Sequence, residues 1–569
     1  MAFVKPMLLL SALVIAPFAS GSYFSEGNLN PVTIKAALME AADGSGNTVI
    51  QVDMTVPAEQ VSRLELRDMS RRTASCPSVR YEILSVANAT ASSQDLPPGG
   101  AVTIAPDGTE DVGITYVVRP SHRPVDLAVE AVMACSVFID AGPDIFVDGR
   151  ALFLALRPVS PSGQPFRFGP ATISFEDRSQ DRTAIFTGGR QEHRNEWRLE
   201  RFDDARFSYM AAGQWIEFGR LGRADVYSTS LGQPALFRDE TLDQVSDTLG
   251  QVYWQLAADW SDPSSAPYSV FLLSTRGEGQ DYAQFTGTAQ LNGQVFFYAP
   301  GVTSERLMVG LVHELIHIWS PSRLGRPDAS NPVGWIGEGL AEFAAYKTLV
   351  ERQLLSPDDV VDRLNVALRN IALNDLPERS EYDVGYVTWL LATVRPGAEL
   401  LGSDLDVLVR GLIEDSEAPL TSDRFWATAS RAGLLPEGRT RLQPDGDLPC
   451  RLDVGGTSYT LVDGAWPAFT TGFTLSETET GTIAEVGATS PAGAAGVRPG
   501  DRVISISSGG WGNVVQPVSL ELATNSGHQT VSYFPWGRGQ TETYPQYVQD
   551  LDEVRSWADV RASDQCQDS

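Results

Sequence analysis

Leu311-Val-His-Glu-Leu-Ile-His-Ile-Trp319 reads as a buried helix that carries two histidines four positions apart. Residues at that spacing lie one above the other on one face of an α-helix, so the His313 and His317 rings can reach a common point. Glu314 projects roughly 100° away from His313, because a helix turns once in about 3.6 residues. It need not ligate, and it can hold a water beside an ion bound by the two rings. That is the arrangement of a zinc hydrolase. The chain has only five histidines, so the pair is not a by-product of His-rich composition. Thr303-Ser304-Glu305 supplies a hydroxyl cap and a first-turn acid for the start of the helix.

A catalytic zinc usually takes three protein ligands and leaves one position for water. The next helical segment, Gly334-Trp-Ile-Gly-Glu-Gly-Leu-Ala-Glu-Phe-Ala-Ala-Tyr346, offers the third. Glu338 is the preferred ligand. Glu342, one turn on, lies on the same face and can accept a hydrogen bond from a ligand imidazole, which fixes the ring's tautomer. The two glutamates can exchange these roles on sequence grounds. A third patch, Ser380-Glu-Tyr-Asp-Val-Gly-Tyr-Val-Thr-Trp-Leu-Leu391, opens an apolar helix. Tyr382 is the candidate O–H donor to an oxyanion, with Tyr386 as its competitor.

Together these patches resemble the glycyl aminopeptidase family of zinc peptidases, whose members carry a C-terminal PDZ domain. The family pattern runs His-Glu-Phe-Phe-His-x-Trp-Asn-x-x-Arg, then Glu-Gly-x-x-x-Tyr, then Tyr-Tyr-x-x-Gly. The chain matches it at His313, Glu314, His317, Trp319 and Arg323, at Glu338-Gly339, and at Tyr382 with Gly385. The resemblance implies His313, His317 and Glu338 as Zn2+ ligands, Glu314 as general base and Tyr382 as oxyanion donor. Arg323 and Glu342 would then support the ligands from behind. The family also has a Gly-Gly-Leu-Glu-His strand whose Glu is expected to bind the substrate's free amino group. Here the nearest stretch is Gly287-Thr-Ala-Gln-Leu-Asn-Gly293, with Gln290 at that Glu's place. A neutral amide lacks the charge-assisted bond that selects an ammonium. Glu278 or Asp281 are the substitutes within reach in sequence. Peptide hydrolysis is therefore the expectation, as an aminopeptidase or as an endopeptidase lacking free-amine selectivity. The rival from another class is an exported peptide-binding scaffold with a degenerate metal site.

Composition bounds the rest. At 569 residues the chain suggests three or four units at about 150 residues each. Its 43 basic and 72 acidic residues give a formal charge of −29, which disfavours nucleic acid and anionic membrane surfaces as partners and leaves peptide or protein substrates. Lys5, the apolar run Met7 to Ala19 and the small residues Ala19-Ser20-Gly21 read as a signal peptide over 1–21. That run is too short for a stable membrane span, which takes about 20 apolar residues. Secretion across the inner membrane to a periplasm is the expected route. Four cysteines suit an oxidising compartment, with Cys76–Cys135 and Cys450–Cys566 the favoured disulfides among three pairings.

The expected fold class is a multidomain α+β protein. Alternating apolar residues between turn clusters give an N-terminal β-sandwich over 28–170, where His122 and His193 read as surface or packing residues. A catalytic domain over 171–445 places strands before helices, as in a thermolysin-like, mainly helical fold. Within it the helices near 358–373 and 404–415 read as amphipathic scaffold. Thr489-Ser-Pro-Ala-Gly-Ala-Ala-Gly-Val-Arg-Pro-Gly-Asp-Arg502 is similar to a PDZ core and marks a PDZ-like β domain over 455–548, followed by a tail, 549–569. Thr471-Gly-Phe-Thr-Leu475 would be its carboxylate loop, holding a peptide C-terminus in a groove.

Overall fold

A computed structural model describes residues 31–566 apart from intervening segments, the longest of which are 121–137, 69–79, 275–284, 230–238 and 508–516. The expected signal peptide, the Cys76–Cys135 pair, His122, Glu278 and Asp281 lie outside the described residues. No helix among the described residues is long and apolar enough to cross a membrane.

Val32–Glu40 alternates apolar and polar side chains and buries the apolar set on one face, as a half-covered strand requires. It pairs antiparallel with Thr48–Val56 and parallel with Ala171–Asp177 in a seven-stranded sheet. A four-stranded sheet that includes Arg63–Arg67 and Ala101–Pro106 shares its core through Leu64, Leu66, Val102 and Ile104. The N-terminal region is thus β-rich, with two sheets on a common core. It extends further than the sequence pattern suggested. The expected boundary at residue 170 falls inside the sheet, because Ala171–Asp177 and Glu196–Leu199 complete it. The parallel partner of the first strand comes from far along the chain, and local alternation carries no record of such a pairing.

A third sheet holds Ile145–Asp148 and Tyr209–Ala212, and its Phe146 and Tyr209 pack on Phe271, Leu273 and Val295. Those last three belong to a five-stranded sheet ordered Ile216–Leu221, Ala224–Thr229, Tyr268–Ser274, Gly293–Tyr298, Phe285–Gln290. Its edge strand, Phe285–Gln290, runs antiparallel to Gly293–Tyr298.

The longer helices among the described residues are α1 (Asp239–Asp259), α2 (Ser304–Ile316), α3 (Gly334–Glu351), α4 (Pro357–Leu373), α5 (Ser380–Thr393), α6 (Leu405–Glu414) and α7 (Ser422–Arg431). They enclose one apolar core with Leu311, Leu315, Leu340, Phe343, Leu364, Leu390 and Phe425 at its centre, all fully buried. The sheet of Arg451–Val454, Thr457–Phe469 and Trp536–Val548 adds Leu452, Val454, Leu461 and Tyr547 to that same core. The expected Cys450–Cys566 disulfide is present, with Cα atoms 5.4 Å apart.

A smaller cluster around Ile483, Ala492, Val503, Leu520 and Val531 lies within the PDZ-like stretch. Pro491–Ala494 is a short helix capped by Ser490, and Gly500 turns with φ +89° into the strand Arg502–Ser507. Among the described residues, 455–548 contains that one helix.

Candidate metal centre

The zinc-type motif sits at the end of α2. The helix closes at Ile316, and His317 follows in the turn, its N–H donating to Glu314 O at 3.2 Å. His313 is 4 % exposed, and the two imidazole centroids stand 5.0 Å apart. From α3, Glu338 Oε2 comes within 3.3 Å of His313 Nε2 and 3.5 Å of His317 Nε2. The three ligand atoms lie within 4.8 Å of one another.

The structure separates the two glutamates. Glu342 Oε2 accepts from His313 Nδ1–H at 2.9 Å, so it works from behind the ring while Nε2 faces Glu338. A carboxylate behind a ligand imidazole fixes its tautomer and raises its basicity. Burial pushes the His313 pKa down, but the Glu338 and Glu342 carboxylates outweigh burial and hold it up at about 10. Burial likewise opposes ionisation of Glu338, yet the neighbouring His317 and His313 keep it below the usual carboxylate range.

Tyr382 and Tyr386 are separated as cleanly. The Tyr382 ring lies 5.9 Å from that of His313, and its pKa is pushed well above the ordinary phenol value by burial and then by Glu338 and Glu314. It stays a neutral O–H donor. Tyr386 is fully buried and donates to Val360 O at 3.3 Å, one helix away from the rings.

Glu314 is buried beside the edge strand, where it accepts a backbone hydrogen bond from Ala289. Burial raises its pKa, offset in part by His317 and His313. On the next residue of that strand, Gln290 Nε2 donates to Asp148 Oδ2 at 3.1 Å, while its Oε1 is buried without a hydrogen-bond partner. Asp148 is itself paired with Arg150 at 2.6 Å. Arg323 is half-buried on the turn after α2, where its backbone N–H donates to Trp319 O at 3.0 Å. His193 is exposed on a strand of the N-terminal sheet.

The site includes a residue that the motif reading missed. Arg363 of α4 donates to Glu342 Oε1 at 2.6 Å and to Asp383 Oδ1 at 2.9 Å. A lone arginine on a helix that reads as amphipathic scaffold gives no local sign of this. The one available hint is Asn365 two residues on, a polar residue close to apolar positions of the same helix.

These residues fit a metal ion. Two imidazole nitrogens and a carboxylate oxygen converge, and Glu338 Oε2 is buried without a well-formed hydrogen bond. A buried anionic oxygen left so is costly unless a cation takes it up. Two His and one Glu is a common donor set for catalytic zinc.

The fold is similar to that of an aminopeptidase N family protein from Idiomarina loihiensis, with TM-score 0.49 and 13% identity over 92% of this chain and 99% of that one. Leukotriene A4 hydrolase from Saccharomyces cerevisiae gives 0.41 and 13% identity over 71% and 64%. An M1 zinc metallopeptidase from Deinococcus radiodurans, bound to a Tyr-Ser-Ala substrate, gives 0.41 and 13% over 74% and 96%. Structural neighbours thus include M1 aminopeptidases and a leukotriene A4 hydrolase. The sequence matches no protein-family model and no curated protein.

Proposed function

We propose that the protein is an exported zinc-dependent peptidase. The observation that carries this reading is the convergence of His313, His317 and Glu338, with the buried carboxylate of Glu314 outside that cluster. A Zn2+ ion held by the three would polarise the scissile carbonyl and ease ionisation of a water. Glu314 takes the proton of the attacking water and later hands it to the leaving amine. Its burial raises the carboxyl pKa, which suits a group that must both accept and release a proton near neutrality. Tyr382 stays protonated and donates its O–H to the developing oxyanion. Edge strand Phe285–Gln290 supplies a row of backbone groups along which an extended peptide can pair. The Cys450–Cys566 disulfide supports an oxidising compartment such as a periplasm.

Gln290 favours an endopeptidase over an aminopeptidase. It is tied to Asp148, whose charge is already matched by Arg150, so the Gln290 position itself offers no unmatched anion to select an ammonium.

The deciding experiment measures metal content and cleavage of a mixed pool of free and N-terminally acetylated peptides. One zinc per chain with cleavage is expected. Bound zinc without cleavage of any peptide would leave an exported binding scaffold.

A further inference from the structure

We propose that Arg363 is a positioning residue that bolts the metal-ligand helix to the phenol helix, so that one guanidinium sets both His313 and Tyr382. The inference rests on the zinc reading of the site.

The geometry is specific. Arg363 Nε donates to Glu342 Oε1 at 2.6 Å, and Glu342 Oε2 receives His313 Nδ1–H at 2.9 Å. From the same guanidinium, an Nη1–H donates to Asp383 Oδ1 at 2.9 Å. Asp383 directly follows Tyr382 on α5, and its other oxygen accepts from Asn370 Nδ2 at 2.9 Å. The guanidinium carbon stands 5.0 Å over the Tyr386 ring, which fixes the plane of the fork. The Arg363 and Asp383 side chains are 12% and 4% exposed, so solvent does little to screen these contacts.

Three consequences follow from chemistry. Glu342 must stay anionic and correctly aimed for His313 to present Nε2 forward, and a planar guanidinium does both at once. Asp383 needs a cation, because a buried carboxylate without one is costly. A lysine cannot span both acids, since its ammonium is a point charge on a flexible stem. The bolt itself is seated from the other side of α4. Asn365 exchanges two hydrogen bonds with the backbone of Tyr547, at 2.9 and 2.8 Å, and Arg369 holds Glu542 at 2.8 and 2.9 Å. The C-terminal strand Trp536–Val548 therefore braces the helix that braces the metal centre.

The test uses the full chain. Zinc affinity is measured by chelator competition, with kcat, KM and thermal denaturation of zinc-loaded and zinc-stripped protein. For Arg363→Met, zinc affinity is expected to fall about 10–100-fold, the range for loss of support behind a metal ligand. In a Glu342→Gln background, Arg363→Met should lower zinc affinity no further, because Arg363 reaches the metal through Glu342. Arg363→Lys should regain most of the zinc affinity while kcat stays low. Asp383→Asn keeps the Glu342 arm and should lower kcat at unchanged KM and zinc affinity; it carries the test if Arg363→Met does not fold. Equal loss of thermal stability with and without zinc, at wild-type zinc affinity, would show a merely structural arginine and overturn the proposal. So would additive effects in the double variant, or wild-type kcat in Asp383→Asn. A wild-type chain that binds no zinc would instead remove the site, and the proposal with it.

Discussion

Gly339 and Gly385 meet backbone to backbone where α3 crosses α5: a Cβ built on Gly339 would stand 2.4 Å from Gly385 Cα. The reverse Cβ would stand 2.3 Å from Trp335 O. Each glycine lies next to or one turn from a site residue, Glu338 on α3 and Tyr382 on α5. The close crossing brings the carboxylate and the phenol to the same rings. Alanine at either position raises intrinsic helix propensity by about 1 kcal/mol. Over-packing a helix crossing costs about 1–3 kcal/mol and here acts against rigid backbone, so the clash should win. Gly339→Ala is expected to lower both thermal stability and zinc content, and unchanged values of both would contradict this role.

Glu314→Gln keeps the shape of the side chain and removes the base. Since Glu314 does not ligate, zinc stoichiometry should persist while kcat drops about 10²–10⁴-fold. Turnover close to wild type would assign the proton to another group.

Tyr382→Phe removes one hydroxyl beside the Glu338 carboxylate. The loss should fall on kcat by about 10²–10³-fold with KM and zinc binding little changed, as for a donor engaged only in the transition state. A Tyr386→Phe control should retain activity, because that hydroxyl is spent on Val360 O.

The pH dependence follows from Glu314, which acts as base only when ionised. Burial, the largest influence, raises its pKa above 4.5. Activity is therefore present above that raised pKa and is lost as pH falls through it, at a pH higher than an ordinary carboxylate would give. Tyr382, raised by burial well above 10.0, predicts no alkaline loss from phenol ionisation below that value. An acid limb of kcat/KM at the ordinary carboxylate position would argue against a buried base.

Asn365→Ala leaves the Tyr547 N–H and C=O without partners in a buried position. At about 1–3 kcal/mol for each of the two unsatisfied groups, the chain should lose roughly 2–6 kcal/mol. Chemical denaturation should show it as one transition, since the C-terminal sheet and the helices share a core. Reducing Cys450–Cys566 should add a further loss of about 2–4 kcal/mol. A separate early transition for the sheet would contradict the shared core.

Much of the site was legible because its chemistry is local. The spacing of His313 and His317 is a property of one helix, and the Glu338-Gly339 and Tyr382…Gly385 pairs each sit within a turn. The roles of Glu338 against Glu342 and of Tyr382 against Tyr386 were not legible. Each pair shares a helix face, and only the neighbours decide between its members: His317 Nε2 for Glu338, Arg363 for Glu342, Val360 O for Tyr386. Helix α4 packs as the amphipathic scaffold its pattern predicts, but Arg363 on it carries no sequence sign of its contacts, because an arginine looks the same in sequence whether it meets water or two buried carboxylates.

The amino-acid order alone determined that the chain carries a His-Glu-x-x-His motif, and that its front is β-rich and its middle helical. Those features depend on periodicity and residue type over short windows. The tertiary structure alone decided where the N-terminal sheet ends, which acid faces both imidazoles, that Cys450 and Cys566 join, and that Asp148 holds Gln290. Each of these rests on contacts between residues distant in the chain, whose energies depend on distance and burial rather than on sequence spacing.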